Sequence, residues 1–91
     1  MRIVVTYQSN YNGVSIEDVE REDDLAEHPD PAIAKAAERC IEEICNELYD
    51  ECDGDGYYNG STKHAHAVMN KWVVKLLPQA TATYEIDATS S

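Results

Sequence analysis

The chain reads as an α+β domain of order β-β-α-α-β, a three-stranded antiparallel or mixed sheet covered on one face by a two-helix hairpin. Three observations predict it. Apolar residues alternate over about residues 2–8, 14–20 and 81–87, the period of half-buried strands. Over about 31–51 and 62–77 they recur at helical spacing instead. Turn and cap residues, Asn12-Gly13, Asp30-Pro31, Asp53-Gly54 and Pro78, fall where these patterns change. Ninety-one residues make a single domain, 1–91, small enough that one sheet face and two helices must supply the whole core.

The first strand places Ile3, Val5 and Tyr7 on one face and Val4 and Thr6 on the other. Asn12-Gly13 suits a two-residue hairpin turn, since both residues tolerate positive φ. The returning strand turns Val14 and Ile16 inward and Ser15 and Glu17 outward. The stretch REDDLAEHPDP is expected to be loop. Asp30 can accept the orphan amides of a helix that Pro31 opens, and Ile33, Ala37, Cys40, Ile41, Ile44 and Leu48 form its buried stripe to about Glu51. Ser61 caps the second helix, which buries Ala65, Val68, Met69, Trp72, Val73 and Leu76 and stops at Pro78. Ala82, Tyr84 and Ile86 alternate with Thr83, Glu85 and Asp87 in the last strand, followed by a frayed ATSS tail. Reversal at each element makes this strand parallel to the first, and it could lie beside either of the others.

Charge is the strongest compositional signal. The net charge is −11, and sixteen of the eighteen acids lie between Glu17 and Asp55, against only three of the seven bases. Such asymmetry speaks of partners. It disfavours direct contact with nucleic acid or anionic lipid, where each phosphate needs a cation, and favours a basic protein. Three cysteines and no export signal fit a reducing, cytoplasmic setting, and no stretch approaches the ~20 apolar residues of a membrane span.

The loop DGDGYYNG, Asp53–Gly60, offers half of a calcium motif. With Gly56 at position 6, Glu51, Asp53 and Asp55 take positions 1, 3 and 5 and Asn59 takes 9, but position 12 is Thr62, which cannot supply two oxygens. The simpler reading is a turn in which Gly54, Gly56 and Gly60 adopt positive φ. Cys45, Cys52, His64 and His66 have poor spacing for zinc, and Cys40 belongs to the apolar stripe. No nucleophile elbow, phosphate-cradling loop or local Cys–His pair is present, so neither catalysis nor a cofactor is expected.

What remains is the acidic surface. Glu38 and Glu42 are one helical turn apart, as are Glu43 and Glu47, and Asp50 continues the series. Carboxylates at i and i+4 lie about 6 Å apart, close to the spacing of successive phosphates, and they repel, so helix stability does not explain them. Glu17, Asp18, Glu20, Glu22, Asp23 and Asp24 extend the patch if the strand edge and the helix start are neighbours, and Asp53 and Asp55 extend it at the other end. Tyr57 and Tyr58, with Tyr49 on the outer side of the first helix, would supply the aromatic anchors that charge lacks.

In size, charge and lack of catalytic motif, the chain resembles the small acidic proteins that bacteriophages direct against host defences, the anti-CRISPR and anti-restriction DNA mimics. The resemblance is to that class as a whole. It implies a protein–protein inhibitor acting in the host bacterial cytoplasm. Its partner would be a basic nucleic-acid-binding complex such as a CRISPR effector, held in the channel that otherwise takes DNA, and binding would fall steeply with salt. Two other classes stand beside it: a calcium-responsive module centred on residues 51–62, and an accessory subunit that dimerises through an exposed sheet edge.

Overall fold

The strand β1 (Arg2–Gln8) runs through the middle of the sheet, and its alternation explains why. Ile3, Val5 and Tyr7 are fully buried, while Val4, Thr6 and Gln8 on the other face are half-buried. A computed structural model of the protein describes residues 1–87; the ATSS tail lies outside the described residues. The sheet has four strands, not three: β2 (Gly13–Asp18), β3 (Asp23–Asp24) and β4 (Thr81–Asp87) join β1 in the order β3-β2-β1-β4. β4 takes the place beside β1 and runs parallel to it, and the other two pairings are antiparallel. The sheet is therefore mixed.

Two helices, α1 (Pro31–Tyr49) and α2 (Thr62–Leu76), pack on the face that carries Ile3, Val5, Tyr7 and Ile16. Asp30 caps α1 by accepting the Ala32 amide at 3.0 Å, and Ser61 caps α2 through the His64 amide at 3.0 Å, as their positions predict. Ala37, Cys40, Ile44 and Leu48 of α1 meet Ala65, Val68, Met69 and Val73 of α2 over the strands. Each fully buried aliphatic side chain contributes about 1.5–3 kcal/mol of transfer free energy.

Three boundaries differ from the sequence reading. The β1–β2 connection is the four-residue Ser9–Asn12, closed by the Gln8–Gly13 pair, and only Asn12 takes positive φ, at 53°. At Gly13 the Tyr11 ring lies where a Cβ would be, so a larger residue there would have to displace that exposed side chain. β2 stops at Asp18, two residues short of Glu20, because the Asp18 carboxylate binds the amides of Glu20 (3.0 Å) and Arg21 (3.3 Å) and closes a turn. The chain then returns as β3, where a loop was expected. Two acids are too short a run to show any period. A single 3₁₀ turn (Leu25–Glu27) follows and drives Leu25 into the core. α1 also ends two residues early, at Tyr49, where Glu51 and Cys52 bond back three residues to the Leu48 and Tyr49 carbonyls and tighten the last turn.

Candidate functional site: an acidic flank

The β2–β3 ladder is acidic at every position. Glu17 pairs with Asp24 and Asp18 with Asp23, so carboxylate-bearing residues stand about 4.5–5.5 Å apart at Cβ. Like charges directly opposed destabilise a sheet. The turn joining them, Val19–Glu22, holds Glu22 at φ 57°, a left-handed conformation that costs a residue with a Cβ about 1–2 kcal/mol. Glycine or asparagine would relieve both the strain and the charge, yet the position is glutamate.

This hairpin lies next to α1. Asp24 of β3, Ala26 of the 3₁₀ turn and Ile41 of α1 line one cleft of about 140 Å³, together with Val14, Ser15 and Ile16 of β2. Glu38 and Glu42 stand about 60° and about 100° around the helix from Ile41, on its solvent side. Strand edge and helix are therefore neighbours: Asp24 lies beside α1, with Glu38 and Glu42 on the helix's solvent side, Glu22 and Asp23 stand exposed at the turn and edge, and Glu17 points to the open face of the sheet. Arg2 reaches Glu20 and Arg21 reaches Asp23, each at 3.8 Å between exposed side chains. Such pairs contribute little, about 0–1 kcal/mol.

Not every expected residue joins this flank. Asp18 is 4% exposed and its carboxylate is committed to backbone amides, so it shapes the hairpin and does not present charge. Asp18→Ala removes the acceptor of two turn amides and should cost about 1 kcal/mol or somewhat more, read as an earlier urea midpoint. Glu43 and Glu47 turn the other way, because consecutive residues Glu42 and Glu43 are about 100° apart on the helix. Between the two carboxylate rows runs a stripe of Lys35, Arg39 and Asn46, all exposed. The helix therefore does not carry one continuous acidic face.

Glu47 is a joint between the helices. One oxygen, Oε1, accepts from Lys71 Nζ and from Trp72 Nε1, the latter at 3.1 Å. The ammonium groups of Lys71 and Lys75 each lie 5.1 Å from the centroid of the Trp72 ring, an arrangement that favours both cations. The hydrogen bond from Lys71 holds the Glu47 carboxyl below its ordinary 4.5, against the opposing effect of burial and with further help from Trp72. A depressed folded-state pKa gives stability that is present above the ordinary value and lost as pH falls through the folded one. Glu47→Gln should therefore flatten the acid limb of a Tm–pH profile below pH 4.5, at a cost near neutrality of about 1 kcal/mol.

The loop between the helices is a small hairpin. Cys52 bridges Tyr58, the Asp53 amide donates to the Tyr57 carbonyl at 2.9 Å, and Gly56 takes φ 88°. Of Gly54, Gly56 and Gly60, Gly56 alone takes positive φ. Asp53 Oδ1 accepts the amides of Asp55 (2.9 Å) and Tyr57 (3.1 Å), so this oxygen stabilises the loop. Glu51 lies 3.7 Å from His64 Nε2. The described residues hold no group of three or more His, Cys, Asp or Glu that could bind a metal ion. Asp50, Asp53 and Asp55 are exposed at this end, away from the β2–β3 flank.

The tyrosines divide. Tyr49 and Tyr57 are 65% and 49% exposed, but Tyr58 packs edge-on against Tyr7 with ring centroids 5.3 Å apart, and its hydroxyl donates to the Ser61 carbonyl. Tyr11, which the sequence reading passed over, is 64% exposed. Its backbone lies against Gly56, so the β1–β2 loop and the interhelical loop meet, and Tyr58 N–H donates to the Ser9 carbonyl at 2.8 Å. Only a tertiary contact unites Tyr11 and Tyr57; their separation in sequence carries no such signal.

The thiols belong to packing. Burial pushes Cys40 up to about 11 and raises Cys45 as well, which suppresses the thiolate that reactive cysteines require. Compared with known proteins, the chain matches no family model, no curated protein and no solved structure. No helix of the described residues is long and apolar enough to cross a membrane.

Proposed function

We propose that this chain is an acidic protein–protein inhibitor that occupies the positively charged nucleic-acid-binding surface of a host defence complex, acting as a DNA mimic of the anti-CRISPR kind. The observation that carries the reading is the β2–β3 hairpin. Its ladder is wholly acidic and its turn holds a glutamate in a left-handed conformation, and the exposed Glu17–Asp24 pair and the strain at Glu22 both work against folding. Strain and like-charge contact of this sort are kept where something other than stability gains from them. A cationic channel would gain: it would neutralise Glu17, Glu22, Asp23 and Asp24 together and draw in Glu38 and Glu42 across the cleft. Asp50, Asp53 and Asp55, with Tyr49, Tyr57 and Tyr11, form a second contact region at the loop end. No group on the flank has the buried, paired setting that catalysis by carboxylates requires, and the function proposed needs no cofactor.

The test is competition. Purified protein is used as bait in lysates of bacteria that carry CRISPR or restriction complexes, and each captured complex is assayed for DNA binding by mobility shift. A captured complex that loses its DNA as the bait is added, and that pre-bound DNA shields from capture, supports the proposal. A complex that binds bait and DNA simultaneously refutes occupation of the DNA site.

A further inference from the structure

The two edges of the sheet are unlike. At one edge the two-residue, all-acidic β3 blunts β2 with charge, a device that prevents pairing with another strand. The other edge is β4, seven residues long, with no proline, lysine or arginine. Thr81 N–H donates to the Met1 carbonyl at 2.8 Å, and the Asp87 carbonyl accepts from Ser9 N–H at 3.1 Å. Successive strand residues point their backbone groups to opposite sides, so Thr81, Thr83, Glu85 and Asp87 address β1. The N–H and C=O groups of Ala82, Tyr84 and Ile86 therefore face outward, along an edge that no other described strand covers.

From this geometry we infer that β4 is a self-association edge, pairing antiparallel with β4 of a second copy about a two-fold axis at Tyr84. In that register Tyr84 faces Tyr84 and Ala82 faces Ile86, and each pair exchanges both backbone hydrogen bonds. These three side chains lie on the helix-covered face, where they are half-buried against the core, and the second copy completes their burial. Tyr84 is already oriented, since its hydroxyl donates to Asn70 Oδ1 at 3.1 Å. On the open face Glu85 meets Thr83 and Asp87 meets Thr81, so no acid opposes an acid. The register is self-complementary, as a two-fold interface must be.

Charge selects the same edge. β4 carries two acids, Glu85 and Asp87, which face Thr83 and Thr81 in this register, whereas every residue of β3 is an acid opposite an acid of β2. Two copies meeting through β3 would oppose their densest acids; through β4 they keep the acidic flanks at opposite ends. The occupant is thus a second copy of this chain. The inference does not depend on the inhibitor reading, and salt separates them: screening eases repulsion between two acidic chains and strengthens the dimer, but weakens attraction to a cationic partner.

Sedimentation equilibrium from micromolar to millimolar protein, at low and high salt, tests it. A monomer–dimer equilibrium that shifts toward dimer with salt is expected; a monomer mass throughout overturns the inference. Ala82→Pro removes one outward donor without touching the β1 ladder, and by two-fold symmetry it removes two hydrogen bonds, weakening the dimer about tenfold or more. An unchanged dimer in a variant with native circular dichroism rules out this edge. Amide exchange in the unmodified chain gives an answer free of any folding defect. Tyr84 and Ile86 amides should gain protection as concentration rises, while Thr83 and Glu85 stay protected throughout; a Tyr84 amide indifferent to concentration overturns the pairing.

Discussion

Tyr7→Ala is expected to cost this domain about 3–5 kcal/mol, the range for removing a buried aromatic side chain. Small domains sit near the low end of a total stability of about 5–15 kcal/mol, so the variant should be partly unfolded at ambient temperature. Tyr7 is among the largest fully buried side chains, on the central strand. Its hydroxyl donates to Asn12 Oδ1 at 2.7 Å, Asn12 Nδ2 donates to the Cys45 carbonyl at 3.2 Å, and Cys52 Sγ lies 3.6 Å from the hydroxyl. One ring thus ties the β1–β2 loop, α1 and the interhelical loop to the sheet, with Tyr58 against its edge. Burial, with Cys52 adding to it, pushes the phenol far above its usual range.

Tyr7→Phe separates the two contributions. It keeps the apolar volume but leaves Asn12 Oδ1 without its donor, and should cost about 1–3 kcal/mol. Urea denaturation followed by tryptophan fluorescence and circular dichroism measures both, and an unchanged slope shows that the midpoint shift reports stability. A Tyr7→Phe midpoint equal to that of the parent chain would show that the network contributes nothing.

Neutralising the hairpin should move stability and binding in opposite directions. The variant Glu17→Gln, Glu22→Gln, Asp23→Asn, Asp24→Asn removes both charged cross-strand pairs from the ladder, each of which costs from about 0.2 to about 1 kcal/mol. Its melting temperature should therefore rise. Affinity for the captured complex should fall by about a hundredfold or more, because truncating one member of an interfacial ion pair costs about 2–5 kcal/mol. The control is Glu17→Gln/Asp24→Asn against Glu43→Gln/Glu85→Gln, two variants of equal net charge. Loss confined to the first places recognition on the flank; equal loss in both would mean that total charge alone is read, and the flank would be dismissed. A quadruple variant that is destabilised would overturn the account of the ladder.

Much of this was legible in the sequence for a simple reason: period and punctuation are local. The alternation of Ile3, Val5 and Tyr7, the stripe of Ala37, Cys40, Ile44 and Leu48 and the caps Asp30 and Ser61 depend on neighbours a few residues away and appear as read, with Ile33 and Ile41 only half-buried at the margin of the stripe. β3 was missed because two acids carry no period, and the placing of Asn12-Gly13 in a two-residue turn failed because the Tyr7–Asn12 bond and the Tyr11 ring decide that loop. The acidic site was half legible. Composition locates the charge between Glu17 and Asp55, but it treats a carboxylate that binds backbone amides, such as Asp18, like one that faces water, such as Glu17.

The sequence by itself therefore determined the two long helices, three of the four strands and the sign of the charge, since each follows from covalent neighbours and side-chain chemistry. Only the tertiary structure decided that β4 lies beside β1, that Glu47 is spent on Lys71 and Trp72, and that Asp24 of β3 shares a cleft with Ile41 of α1. These are contacts between residues far apart in the chain, set by which packing buries all the apolar stripes together, and no local pattern encodes them.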